Sequence, residues 1–350
     1  MLGISAYLQD LDVEYLKKAA EIGARFVFTS LHIPEENLED SEEKLDLLLK
    51  TCQENDLLLV PDISPVTFEK LGIKNRDMTG LKKTGINALR LDFGFDDYHE
   101  LVTLQKDFQL FLNASIVDET FLKESVAAGV DLSKVQLSHN FYPKMDTGLA
   151  MTPFSKDNQL FTAYGLKVQA FVPGDALKRF PLYQGLPTIE KHRGKEPFVA
   201  AVDLLKNGHI TDIVIGDSQA KLSTLKMIHN YMQDNIMTLP VFLMDEQKKW
   251  YEQVLEVRKD LPENVVRLAT PRMPSIPIGK TLERKRGMIT MENKLGARYS
   301  GEINLCRKNL PFSATTNFIG FIHPNFVDLL DWIDRDTQIK FVPIEKVQSE

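Results

Sequence analysis

Three aspartates fall at the ends of short apolar runs in this chain. Asp62 closes Leu-Val-Pro-Asp, Asp92 closes Leu-Arg-Leu-Asp, and Asp217 follows Ile-Gly. Two carboxyl groups across a sugar-sized cleft are the minimum equipment for glycoside hydrolysis. One protonates the leaving oxygen, and the other acts as nucleophile or as base toward water. The three aspartates are therefore candidates for two posts. Other polar residues end neighbouring runs: Asn113, then Ser138-His139-Asn140, with His32 after the second run. His139 and Asn140 would orient a sugar ring or bind its hydroxyl and acyl groups. Arg90 lies two residues before Asp92, and strand alternation puts both on one side. Plainer roles compete. A strand-end Asp often caps the next helix, so Asp217, followed by Ser218, stands open between cap and catalyst. Arg90 and Asp92 could be a buried salt-bridged pair. Ions of that kind cost several kcal/mol to desolvate and tend to be kept where they act.

A second concentration of charge lies in Gly174–Gly194, which carries Lys178, Arg179, Lys191, His192 and Arg193, with Lys195 next. On a chain with 42 basic and 49 acidic residues and a net charge of −7, such a cluster suits an anionic ligand, although a solvated loop is the plainer reading. The expected binding set is Arg90, Asn113, His139, Asn140, Arg179, Lys191 and Arg193. Arg284-Lys285-Arg286 forms another basic cluster. Other chemistries find no support. Gly279-Lys280-Thr281 resembles the end of a phosphate-binding loop, but the required earlier glycine is Pro274. No H-x-H or H-E-x-x-H occurs among the seven histidines, so neither metal nor cofactor is expected. A Schiff-base lysine would sit at a strand's carboxyl end, and Lys167 precedes its strand. Asn113-Ala-Ser115 is a sequon in form only.

The elements that must position these residues recur with a clear rhythm. Apolar runs at Leu2–Leu8, Arg25–Ser30, Leu57–Asp62, Ala88–Asp92, Gln109–Asn113, Val135–His139, Val168–Pro173 and Ile213–Asp217 alternate with helical stretches. Short runs rich in Val, Ile, Leu and Phe suit parallel strands buried on both faces. Leu45, Leu48, Leu49 and Cys52 keep helical spacing, as do Phe198, Ala201, Val202 and Leu205. Asp40 (three before Glu43), Asp118 and Ser218 read as caps, and Gly23, Gly85, Gly129 and Gly208 as helix ends. Eight such units in about 235 residues match a (β/α)8 barrel, whose active sites gather at the carboxyl ends of the strands. A doubly wound sheet is the runner-up, but no G-x-G-x-x-G is present.

After residue 236 the rhythm changes. Strands are expected at Met237–Leu243, Val265–Ala269, Gly287–Glu292, Arg298–Leu305, Asn317–Ile322 and Ile339–Pro343, with helices at Asp245–Val257 and Phe326–Ile333. Four prolines make Pro262–Pro277 a loop or an edge. The expected organisation is residues 1–236 as an α/β catalytic barrel and 237–350 as a mostly β domain. Two cysteines, Cys52 and Cys306, make no disulfide scaffold, no apolar run reaches membrane-spanning length, and Lys17, the first basic residue, follows the apolar opening. A reduced, cytoplasmic setting is expected, with no membrane and no nucleic acid as partner.

Several segments are distinctive beyond their chemistry: Leu-Gly-Ile-Ser-Ala-Tyr-Leu (2–8), Leu-Ser-His-Asn-Phe-Tyr-Pro (137–143) and Ile-Gly-Asp-Ser (215–218). Later come Arg-Gly-Met-Ile-Thr-Met-Glu-Asn (286–293), Arg-Tyr-Ser-Gly-Glu (298–302) and Asn-Phe-Ile-Gly (317–320). With these, the whole chain resembles the bacterial 6-phospho-N-acetylmuramidase family, long labelled "outer surface protein". The resemblance implies a TIM barrel followed by a cyclophilin-like domain. It also implies intracellular cleavage of a phosphorylated amino-sugar disaccharide from peptidoglycan, yielding N-acetylmuramic acid 6-phosphate and N-acetylglucosamine. It assigns no catalytic residues, and it leaves room for a homodimer. Arg298 and Glu302 read more readily as a buried structural pair than as catalysts. Two other classes stay in view: a phosphosugar isomerase or aldolase using the same carboxylates as proton shuttles, and a non-catalytic sugar-phosphate sensor.

Overall fold

The eight apolar runs of the first two-thirds form eight parallel strands in a computed structural model that describes residues 1–30, 41–64, 78–83, 85–92, 94, 95 and 97–348. They are β1 (Leu2–Ser5), β2 (Ala24–Ser30), β3 (Leu58–Ile63), β4 (Ala88–Leu91), β5 (Gln109–Asn113), β6 (Val135–Ser138), β7 (Lys167–Val172) and β8 (Asp212–Ile215). Each pairs with the next, and β1 closes on β8 through Leu2 and Ile213, giving a closed barrel. Helices follow the strands in turn: α1 (Val13–Ile22), α2 (Ser41–Glu54), α3 (Met78–Lys83), α4 (Tyr98–Leu104), α5 (Glu119–Ala127), α6 (Met151–Ala163), α7 (Pro197–Asn207) and α8 (Leu222–Asp234). This is the TIM-barrel architecture.

Local chemistry sets many of the boundaries. Asp12 caps α1 by accepting the Tyr15 amide at 3.0 Å, and Asp118 caps α5 by accepting the Phe121 amide at 2.7 Å. The expected cap at Asp40 lies outside the described residues. Ser218 is not a cap: its hydroxyl donates to Asp10 at 3.0 Å, and α8 begins four residues later. Asp175 serves that helix instead, accepting the Lys221 amide at 2.8 Å and the Thr224 hydroxyl at 2.6 Å.

Inward side chains fill the barrel with aromatic rings. Phe26, Phe28, Phe111 and Phe171 cluster with Tyr7, Val60 and Val214. Phe28 and Phe171 meet edge to face at 5.1 Å between centroids. Gly3 on β1 makes room for this, since a Cβ there would sit 2.3 Å from the Phe26 ring. The aromatic floor leaves the polar strand ends as the mouth.

Residues Met1–Leu225 and Lys226–Glu350 form two compact units. The second is a seven-stranded sheet: β9 (Ile236–Leu243), β10 (Val254–Glu256), β11 (Val265–Arg267), β12 (Met288–Glu292), β13 (Ile303–Cys306), β14 (Thr316–Ile322) and β15 (Gln338–Pro343). The order is β10-β15-β9-β14-β12-β13-β11, antiparallel except for β9 with β15. A bridge between Val257 and Leu268 joins the two outer strands and curls the sheet. The proline-flanked β11 is an edge in strand order, as expected. Two expected elements differ. Asp245–Val257 is a short 3-10 turn (Asp245–Trp250) followed by β10, because Glu252 adopts a φ of 63° and Leu255 pairs with Ile339 of β15. The strand expected from Arg298 starts only at Ile303, since Ala297 and Gly301 take positive φ and turn the chain first.

Candidate active site

Asp62 and Arg90 are register partners on the adjacent parallel strands β3 and β4, so they project side by side at the mouth. Arg90 is 2% exposed, and a guanidinium so deep must find acceptors for its donors. Its Nη1 donates to Asp62 Oδ1 at 2.6 Å and reaches Asp92 Oδ1 at 3.5 Å. Its Nε donates to Ser138 Oγ at 3.1 Å, and its Nη2 to the Ser138 carbonyl at 3.3 Å and to Asn140 Oδ1. Asn113 stands behind Asp92 rather than on the cavity, donating to Asp92 Oδ1 at 2.9 Å while its own Oδ1 accepts from Ser115. One buried cation thus ties together the ends of β3, β4 and β6.

His139 is almost fully buried. Its Nε2 lies 2.7 Å from Asn158 Oδ1, and the Asn158 amide donates to the Gly208 carbonyl at 2.8 Å. The second bond orients the Asn158 amide, so Nε2 of His139 carries the proton and Nδ1 is left as an acceptor. Burial pushes the ring's pKa down to about 4; the Asn158 bond opposes this and the Arg90 charge adds to it. His139 is therefore neutral at physiological pH.

These groups open onto a cavity of about 530 Å³, within the range of small-ligand sites. Asp62, Arg90, Asp92, His139 and Asn140 line it, while Phe141, Tyr142, Phe180 and Tyr183 make much of the wall. Phe180 and Tyr183 come from the long segment after β7 and are 37% and 55% exposed, so their rings are open to a ligand.

That segment is arranged by Asp217, which does not line the cavity. Its carboxylate is fully buried and accepts the backbone amides of Gly174 at 2.7 Å, Arg179 at 3.0 Å and Leu186 at 3.2 Å. Burial lifts its pKa above the usual carboxylate range, with the three amides pulling the other way. Gly174 is needed for the close approach, because a Cβ there would lie 2.4 Å from the Gln219 carbonyl oxygen.

The basic residues of the segment separate. Arg193 is bound to Glu190 through Nε at 2.6 Å and Nη2 at 2.8 Å, and donates to the carbonyls of Gly185 and Tyr142 at 2.9 Å each. Lys191 pairs with Asp203 at 2.6 Å, beside the buried His192–Asp203 contact at 2.7 Å. Neither Lys191 nor Arg193 lines the cavity. Arg179 does. Its guanidinium lies 4.1 Å above the Tyr7 ring, and no carboxylate among the described residues pairs with it.

His32 lies outside the described residues. Asn158, Tyr7 and the aromatic wall are additions to the expected set. Asn158 had a signal: with Phe154 and Phe161 it forms an i, i+4, i+7 stripe on α6, all three buried, and a polar residue in such a stripe needs a reason. In the second unit, Glu302 pairs not with Arg298 but with Arg267, through Nε at 2.8 Å and Nη2 at 2.7 Å. Arg298 instead donates to the Tyr299 hydroxyl. Arg286 makes a two-pronged contact with Asp331, 2.9 Å on each side. Among the described residues no group of three His, Cys, Asp or Glu side chains could hold a metal ion, and no helix is long and apolar enough to cross a membrane.

Known proteins agree with this layout. A family model described as 6-phospho-N-acetylmuramidase, N-terminal, matches residues 2–230, and one described as 6-phospho-N-acetylmuramidase, C-terminal, matches 237–342. The chain is similar to a conserved Enterococcus faecalis protein of unknown function, with 29% identity, 99% of each chain covered and a TM-score of 0.86. It is also similar to an uncharacterized B. cereus protein, at 25% identity over 97% of this chain and 99% of that one, with a TM-score of 0.78. No curated protein matches it. The family carries the name of a glycosidase, and both of its models together span nearly the whole sequence. The chain belongs to the 6-phospho-N-acetylmuramidase family.

Proposed function

We propose that the barrel hydrolyses 6-phospho-N-acetylmuramyl-N-acetylglucosamine to N-acetylmuramic acid 6-phosphate and N-acetylglucosamine, as a cytoplasmic step in peptidoglycan recycling. The observation that carries this reading is the pair Asp62 and Asp92, held on one buried guanidinium at the edge of a cavity of about 530 Å³ whose wall holds an open arginine. Asp62, in 2.6 Å contact with Arg90 and 9% exposed, is held directly on the guanidinium and serves as nucleophile or charge stabiliser. Asp92, at 3.5 Å from Arg90 and 22% exposed, is the more accessible of the two and serves as acid toward the leaving oxygen. Because both touch the same Nη1, their contacting oxygens are no farther apart than those two distances laid end to end. The initial anomer of the product then distinguishes retention from inversion.

Neutral His139 offers Nδ1 to a sugar hydroxyl, and Arg179 binds the 6-phosphate or the lactyl carboxylate, which a planar guanidinium matches well. Phe180 and Tyr183 stack on the departing sugar. Asp217, Lys191 and Arg193 position the segment that carries Arg179. The test is to incubate the purified protein with the phosphorylated disaccharide and measure N-acetylglucosamine release and its initial anomer. Loss of release in both Asp62→Asn and Asp92→Asn is expected. Full activity in either variant removes that residue from the mechanism, and no release by the unaltered protein ends the substrate assignment.

A further inference from the structure

We propose that the second unit carries a binding site of its own for a monosaccharide-sized anion, a sugar acid or sugar phosphate. Strands β11, β13 and β12 lie side by side, and Val266, Leu305 and Ile289 are fully buried register partners on one face. Alternation therefore sends Arg267, Asn304 and Thr290 to the opposite face, with Glu302 and Glu292 two positions along their strands. Such a face ordinarily meets water. Here it contributes to a cavity of about 370 Å³, walled in addition by Tyr299 and Arg284. The size is at the lower end for ligand sites and suits one ring rather than two.

Three features of this cavity ask for a ligand. Asn304 is 6% exposed, and its Oδ1 is buried with no hydrogen-bond partner; native proteins rarely leave such an oxygen bare without a reason. Four guanidiniums, Arg258, Arg267, Arg272 and Arg284, face three carboxylates, Asp260, Glu292 and Glu302, and Asp260 is taken up by Arg267 at 2.6 Å and Arg258 at 3.4 Å. Glu302 is shared by Arg267 at 2.7 Å, Arg272 at 3.2 Å and Arg258 at 3.7 Å. Arg284 donates through Nε to the Pro311 carbonyl at 3.0 Å but pairs with no carboxylate among the described residues. Third, the Tyr299 ring has the guanidiniums of Arg267, Arg272 and Arg298 within 5.8, 5.5 and 5.0 Å of its centre. Burial also lifts the pKa of Glu292, so an anion beside it meets less repulsion than beside an ordinary carboxylate.

A cation for an acidic group, a buried acceptor for an O–H or N–H, and an aromatic rim together select an acidic sugar over a neutral one. Two of the distinctive sequence segments, 286–293 and 298–302, supply Glu292, Tyr299 and Glu302, which barrel chemistry does not use. The site does not depend on the hydrolase reading, because binding reports it and turnover does not.

The experiment is calorimetric titration of the full chain carrying Arg179→Ala, which removes the barrel's open cation. The probes are N-acetylglucosamine 6-phosphate, N-acetylmuramic acid and glucose. One equivalent of an acidic sugar should bind and glucose should not. Adding Arg284→Ala should weaken binding roughly 10- to 100-fold. Asn304→Asp, which sets a carboxylate at the orphan oxygen, should weaken it as well. Should Arg284→Ala fail to melt cooperatively, Arg284→Lys and Asn304→Asp carry the test. Binding of the phosphate alone assigns a sugar phosphate, and binding of N-acetylmuramic acid alone assigns a sugar acid. Binding of neither, or binding that the Arg284 and Asn304 substitutions leave unchanged, overturns the proposal.

Discussion

The barrel mouth and the arginine-rich face of the second unit use the same two groups in opposite proportion. At the mouth one buried guanidinium, Arg90, serves two carboxylates, Asp62 and Asp92. On the sheet face one buried carboxylate, Glu302, serves three guanidiniums. Both obey the rule that a deep charge must be paired. What differs is the surplus. A surplus of carboxylate beside a cavity gives groups that can hold and pass a proton or attack a carbon. A surplus of guanidinium gives a place where an anion rests. Neither cluster's function follows from its being an ion pair; it follows from which member outnumbers the other.

The sharpest break between the two should come from removing one carboxylate at each. Asp62→Asn and Asp92→Asn are each expected to lower kcat by roughly 10²- to 10⁴-fold while the protein still melts cooperatively. Glu302→Gln should leave kcat for the disaccharide near its original value. Steady-state assays of the three variants check this, and a Glu302→Gln loss as large as that of Asp62→Asn would erase the distinction. Stability should show the reverse emphasis. Glu302→Ala leaves Arg272 with no carboxylate among the described residues and leaves Arg267 and Arg258 with Asp260 alone, and a fully buried pair broken in this way costs about 3–5 kcal/mol. Arg258 and Arg272 are 36% and 43% exposed, so water repays part of that, and about 2–3 kcal/mol is expected by urea denaturation. No loss of stability would mean that the cluster is ordered by its ligand and not by itself.

The long segment after β7 repeats the contrast on a smaller scale. Arg193 commits its donors to Glu190 and to backbone carbonyls, whereas Arg179 commits only its backbone amide, to Asp217. Arg179→Ala should therefore raise KM for the phosphorylated disaccharide about 10-fold or more, with little change in kcat or melting temperature. Arg193→Ala should lower the melting temperature and disturb KM only through the loosened loop. Equal KM effects with equal destabilisation would show that Arg179, too, is structural.

How far the sequence discloses these things depends on whether the deciding contact is local. The barrel strands are legible because each is a contiguous apolar run buried on both faces, and because eight of them leave few ways to close. Asp62, Arg90, Asp92, His139 and Asn140 are legible for the same reason, since a barrel brings all its strand ends to one mouth. Lys191 and Arg193 look identical to Arg179 in sequence. Their partners, Asp203 and the carbonyls of Tyr142 and Gly185, are chosen by how the segment folds back, which charge counting cannot see. Asp217 misleads in the same way: its three amide donors lie 31 to 43 residues upstream. In the second unit the helical spacing of Asp245–Val257 yields to pairing of β10 with β15, more than 80 residues away, a contact that propensity does not register.

His139 supplies the smallest effect and the cleanest sign. Its pKa is about 4 in the folded chain against an unfolded value of about 6.5, so the unfolded state takes up the proton first. The stability this neutral ring contributes is present in full above pH 6.5 and drains away as pH falls toward 4. Between pH 7 and 5.5 the loss is roughly 1 kcal/mol. Buried His192, also lowered by burial, tilts the curve in the same direction, so the comparison must be made against a variant rather than against a flat line. His139→Gln keeps an N–H for Asn158 and cannot titrate. Its stability should fall less steeply over this window than that of the unaltered protein, leaving the His192 share. Parallel curves in the two proteins would mean that the ring takes up its proton as readily in the fold as in the unfolded chain, so that burial does not hold it neutral.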